Sequence, residues 1–200
     1  RRHPRIELLG NLDAPRLAIL SFLVRTGDGR YLHPRLVVRL LNDLFGIQSR
    51  GGCACAGPYA HHLLGIAPSR ADGFRDAVLA GFESVKPGWT RLNFSYFIEP
   101  AEFNFLLDAI EFIAEHGERF IHPYRCDWHS GAWHHPLDKA QPGLLALATR
   151  PARARQLPPL SYRDCLARAY ALVADLPATA APEPSHLPAG LPAALVSFGY

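Results

Sequence analysis

The 200-residue sequence has no methionine and only two lysines, Lys86 and Lys139. Without methionine the chain lacks a native start, so the expectation is a trimmed piece of a longer protein. Arginine supplies almost all of the positive charge and is scattered along the chain, which argues against a nucleic-acid face built from clustered Lys and Arg. No apolar run approaches the roughly 20 residues that a membrane-spanning helix needs, and the Arg-Arg-His-Pro beginning is not followed by the hydrophobic segment of a secretory signal. The four cysteines, Cys53, Cys55, Cys126 and Cys165, are sparse for a disulfide framework of this length, so the thiols are read as reduced and the protein as cytoplasmic.

What is present supports a globular chain. A hydrophobic content of 48% and a formal net charge of +3 suit one sizeable domain, or a compact domain with a tail. Residues 16–24, R-L-A-I-L-S-F-L-V, form a short apolar run closed by Thr-Gly-Asp-Gly at 26–29, which predicts a buried strand. Over 33–45 the apolar residues Leu36, Val37, Leu40, Leu41 and Leu44 share one face, Pro34 sits in the first turn and Gly46 follows the end, the pattern of an amphipathic helix. A short strand at 47–50 leads into a glycine-rich loop, after which 58–64 and 69–81 suit helices, the second with Ser69 as N-cap. Residues 89–98 alternate, with Leu92, Phe94 and Tyr96 on one side and Arg91, Asn93 and Ser95 on the other, as in a half-buried strand. Pro100 opens a helix to about 116 whose expected apolar stripe is Phe103, Leu106, Leu107, Ile110 and Ile113. Helices covering one face of a small, mainly antiparallel sheet would bury these stripes, so the fold class is α+β. The domain is assigned to 1–135. Ten of the eighteen prolines lie in 136–200, which marks an irregular Pro/Ala-rich tail that packs on the domain, helical only at about 161–176, with its final A-L-V-S-F-G-Y docking as a strand.

The loop Arg50-Gly-Gly-Cys-Ala-Cys-Ala-Gly-Pro58 has three readings. Gly51, Gly52 and Gly57 expose backbone amides, Arg50 brings a cation, and a following helix would turn its positive end toward the thiols, all of which favour a thiolate nucleophile. Alternatively the cysteines are small buried residues of a tight turn. A metal site would use Cys53, Cys55, His61 and His62, but a single residue between the cysteines crowds tetrahedral ligation and no second ligand pair follows. His129, His134 and His135 read as surface or packing residues, and a Cys53–Cys55 disulfide would close a strained, labile ring.

The run from Leu40 to Ile66, containing R-G-G-C-A-C-A-G-P, together with K-P-G-W-T-R-L-N-F-S-Y-F at 86–97, resembles the C-terminal small domain of class V aminotransferase-fold enzymes dependent on pyridoxal phosphate, most closely the cysteine desulfurase and selenocysteine lyase group. The similarity covers roughly residues 5–125. It implies Cys55 as the catalytic thiol, Cys53 as an additional one, and Arg91, with Arg50, as ligands for the substrate carboxylate; a guanidinium fork on the polar face of a strand suits that task. It further implies an amino-acid substrate, cleavage of a C–S or C–Se bond, a homodimer, and an N-terminal domain of the same protein holding the cofactor. This chain departs from the pattern where related enzymes have a His-His-Cys loop, and it lacks the Schiff-base lysine: Lys86 adjoins Pro87 at a turn and Lys139 stands by the tail. The piece alone is therefore expected to be inactive and to bind no pyridoxal phosphate and no metal. The alternatives are an aminotransferase or lyase of the same fold without a catalytic cysteine, and a non-catalytic thiol or metal-binding module.

Overall fold

A computed structural model describes residues 3–52, 57–138, 161–177 and 187–198. Its centre is a four-stranded sheet of β1 (Ile6–Leu8), β2 (Ile19–Val24), β3 (Arg50–Gly52) and β4 (Trp89–Asn93). The strand order is β1-β2-β4-β3 with every neighbour antiparallel. Five helices accompany it among the described residues: α1 (Pro34–Phe45), α2 (Gly57–Leu63), α3 (Pro68–Leu79), α4 (Pro100–His116) and α5 (Tyr162–Ala174). A short ribbon of β5 (Arg125–Cys126) and β6 (Trp133–His134) lies outside the sheet. The α+β class and the small antiparallel sheet expected from the residue pattern are both present. Among the described residues no helix is long and apolar enough to cross a membrane.

The two sheet faces have different fates because alternate residues point opposite ways. Phe22, Val24 and Leu92 join the main core with α1 and α4, whereas Leu23 and Trp89 face the other way and form a small second cluster with Leu9 and Ala60 of α2. Helix α1 is nearly all core on one side, with Leu36, Val37, Leu40 and Leu41 essentially sealed from solvent. The imidazole of His33 caps its start by accepting a hydrogen bond from the Arg35 N–H, and Gly46, at φ 69°, ends it in the left-handed conformation that glycine adopts without a Cβ penalty.

Several local expectations shift. The short strand expected at 47–50 forms instead at Arg50–Gly52, taking in the first two glycines of the loop. Strand β4 stops at Asn93 instead of continuing to residue 98: one further bond joins the Phe94 N–H to the Ala18 carbonyl, and Tyr96 lies almost wholly in solvent. Helix α3 begins at Pro68 with Ala67 as its cap residue, so Ser69 is inside the first turn and caps nothing. Helix α4 spans the anticipated residues but is rotated: Phe105, Ala109, Ile110, Phe112 and Ile113 are buried, while Phe103 is 40% exposed. The rotation follows from aromatic packing. Phe105 and Phe112, two turns apart, both meet Phe45 of α1 edge-on, at 6.0 and 5.4 Å between ring centroids, with Ala109 between them allowing close approach.

The tail contributes to the same core. Ser161 caps α5 by accepting from the Asp164 N–H while its hydroxyl donates to the Asp164 carboxylate. Tyr162 stacks on Phe105 and Tyr170 meets Phe112 edge-on. Near its end the chain forms not a strand but a 3-10 turn at Ala193–Leu195 and a single parallel bridge between Phe198 and Tyr31.

Candidate functional site

The glycine pair ahead of the thiols has a packing reason. A Cβ on Gly51 would lie 2.6 Å from the Pro34 carbonyl oxygen and 2.8 Å from a Val38 methyl, so only glycine lets the edge strand β3 lie directly on α1. Gly52, at φ 106°, occupies backbone space that side chains disfavour. The chain then runs to Gly57, where α2 starts. Cys53 and Cys55 lie between, outside the described residues, as does Lys139. Helix α2 is only seven residues long, too short for a strong field at its first turn.

The sheet register brings two of the anticipated ligands together. Arg50 on β3 and Arg91 on β4 are direct cross-strand partners, which places their side chains on one face with Cβ atoms about 5 Å apart. Both are exposed, and neither side chain makes a hydrogen bond or ion pair among the described residues. Ser21 follows Arg91 in the same cross-strand row. Two residues along, the face is closed by Trp89, Leu23 and α2. The arginines thus stand at the border between covered and open sheet, in the row adjoining the strand end from which the thiol loop departs. Two like charges set opposite one another cost stability, and no carboxylate of the described chain relieves them. The arrangement is a ready ligand for an anion.

The two described cysteines lie apart from the arginine pair. Burial pushes the Cys126 thiol up to about 12, with Asp127 adding to the effect, and Cys165 is half-buried beside the core. The three distant histidines are not gathered: His129 receives or donates a 3.0 Å bond with the Gly81 carbonyl and stacks on Phe82, His134 is exposed near Asp138, and His135 packs edge-on against Tyr124. Among the described residues no group of three or more His, Cys, Asp or Glu side chains could hold a metal ion.

The described residues do not fit pyridoxal phosphate. The Lys86 ammonium is clasped by the Glu83 carboxylate at the end of a 3-10 turn. The first amide of α1 that could cradle a phosphate is already taken by His33. A cavity of about 150 Å³ does reach Lys86, together with Glu7, Leu23, Tyr31, His33 and Ser84, but neither Arg50 nor Arg91 lines it.

His33 is the functional-looking residue that sequence reading passed over. It is 4% exposed. Its Nδ1 accepts from the Arg35 N–H, which leaves Nε2 to donate to the Ser84 carbonyl at 3.0 Å. Desolvation holds its pKa down to about 4. Its position immediately before Pro34 and a helical repeat was the available sign of a capping role.

Comparison with protein-family models, with curated proteins and with solved structures finds no match for the chain.

Proposed function

We propose that this chain is the substrate-carboxylate domain of an enzyme acting on amino acids, with Arg91 and Arg50 as the grip and Cys55, three residues beyond the end of β3 in sequence, as its thiol. The observation that carries this reading is the cross-strand arginine pair, exposed and unrelieved by any described acid. A guanidinium presents two parallel N–H donors that match a carboxylate, and two guanidiniums on adjacent strands can hold both oxygens. The resemblance to the cysteine desulfurase and selenocysteine lyase group supplies the wider frame: cysteine or selenocysteine as substrate, a homodimer, and pyridoxal phosphate held by an N-terminal domain of the intact protein. The part assigned here to this chain is binding and orientation of the substrate.

The test is titration of the purified chain with L-alanine, L-cysteine and acetate, followed by NMR, with alaninamide as the control lacking a carboxylate. The carboxylates bind and the amide does not; Arg91→Ala and Arg50→Ala each weaken binding about tenfold, the scale of a lost charge-assisted hydrogen bond. Equal binding of amide and acid refutes the grip. In the intact protein, alanine release that is lost in Cys55→Ala and retained in Cys53→Ala supports desulfuration. One observation favours a second reading: Gly51 and Gly52 are required by packing and backbone alone. That suits an aminotransferase or lyase of the same fold in which the cysteines are turn residues and the arginines carry the function.

A further inference from the structure

A second polar site lies on the opposite side of the same edge strand. Gly51 faces α1, and Ser49, two residues earlier, lines a groove of about 410 Å³ with Arg35, Val38, Arg39 and Asn42 of α1, Gln48, and Trp133 of β6. That volume falls within the range of small-molecule sites. Its walls hold two guanidiniums, two carboxamides, a hydroxyl and an indole, and no carboxylate.

Two of those groups are buried and unused. The Trp133 Nε1 and the Ser49 Oγ have no hydrogen-bond partner among the described residues, although Trp133 is 4% exposed. Buried polar atoms nearly always find partners, and leaving one unmet costs about 1–3 kcal/mol. An indole N–H can only donate, so whatever satisfies it must offer an acceptor. The charges agree. Arg39 is neutralised by Asp43 and Asp138, which lie outside the groove, whereas Arg35 gives one N–H to the Ser130 carbonyl and has no carboxylate at ion-pair distance among the described residues. The residues lining the groove therefore combine a net positive charge, an obligate donor and a hydroxyl that can turn to donate, the last two with almost no exposure to solvent.

We infer that this groove binds an oxyanion, the phosphate or carboxylate group of a small molecule, with the Trp133 indole N–H, the Ser49 hydroxyl and the Arg35 guanidinium as its donors. It is separate from the Arg50–Arg91 face, so either site can fail without the other.

The experiment follows the indole N–H signals of the chain in a two-dimensional ¹H–¹⁵N spectrum during titration with inorganic phosphate and, separately, acetate, against chloride at matched ionic strength. Trp133→Phe assigns the signal and removes the donor while keeping most of the ring. The expected result is a saturable shift of the Trp133 signal with phosphate or acetate and none with chloride, weakened about tenfold in Ser49→Ala. The tighter probe identifies the class of group. Absence of a saturable shift with both probes, an equal response to chloride, or unchanged affinity in Ser49→Ala overturns the inference.

Discussion

Acid should unfold this protein through His33, and the size of the effect can be worked out. In the fold the imidazole is neutral by necessity, because protonating Nδ1 would set a proton against the Arg35 N–H that it caps and would place a charge in a site lined by Phe198 and Trp133. Its pKa is lowered from 6.5 to about 4. The unfolded chain therefore takes up a proton between those values while the folded chain does not, so stability is complete above pH 6.5 and falls as pH drops toward 4. The full depression corresponds to about 3 kcal/mol; between pH 7.5 and pH 5 the loss is about 2 kcal/mol. Urea denaturation at half-unit pH steps across that range measures it. His116, also depressed by burial, contributes with the same sign, so the decisive comparison is His33→Asn. Asparagine is a good cap and has no proton to gain. The variant should be less stable at pH 7.5 but lose about 2 kcal/mol less on acidification. An identical pH slope in the variant, or a His33 ring that titrates near 6.5 by NMR, would refute the reasoning.

Arg50→Glu converts the like-charge pair with Arg91 into an opposite-charge pair, and should raise stability by about 0.2–1 kcal/mol at low salt while abolishing carboxylate binding; denaturation and the acetate titration read the two effects together. Gly51→Ala forces a methyl group onto the Pro34 carbonyl and Val38, and should destabilise by about 1–3 kcal/mol in a urea melt. Phe112→Ala removes a ring that is 1% exposed and contacts Phe45 and Tyr170, at a cost of about 3–5 kcal/mol by the same assay.

The periodicity of α1 could be read from its residues because one helix face carries all its large apolar side chains and Pro34 and Gly46 punctuate its ends. Helix α4 was legible in extent and not in rotation: Phe103 and Phe105 are equally apolar in sequence, and only the position of Phe45 and α5 decides which of them goes inside. Residues 95–97 carry an alternating pattern outside the ladder, which ends with the Phe94 N–H on the Ala18 carbonyl; where pairing ends depends on the partner strand, not on this segment's own residues. β1 and the β5–β6 ribbon are two or three residues each, shorter than any repeat can reveal. Of the candidate site, Arg91 was legible from its polar strand face; that Arg50 stands directly across from it depends on register, which no spacing along one chain specifies. The groove at Trp133 was hidden for a similar reason, since its walls come from residues 35–49 and from residue 133.

The bridge between Tyr31 and Phe198, reinforced by the Arg30 guanidinium donating to the Phe198 carbonyl 168 positions later, bears on how the protein is made. A ribosome delivers the first turn of α1 early, yet the aromatic ring that shields it emerges on the order of ten seconds afterwards. During that interval the nascent chain has an unsheltered imidazole and an open hydrophobic seam, a window in which chaperones could engage it.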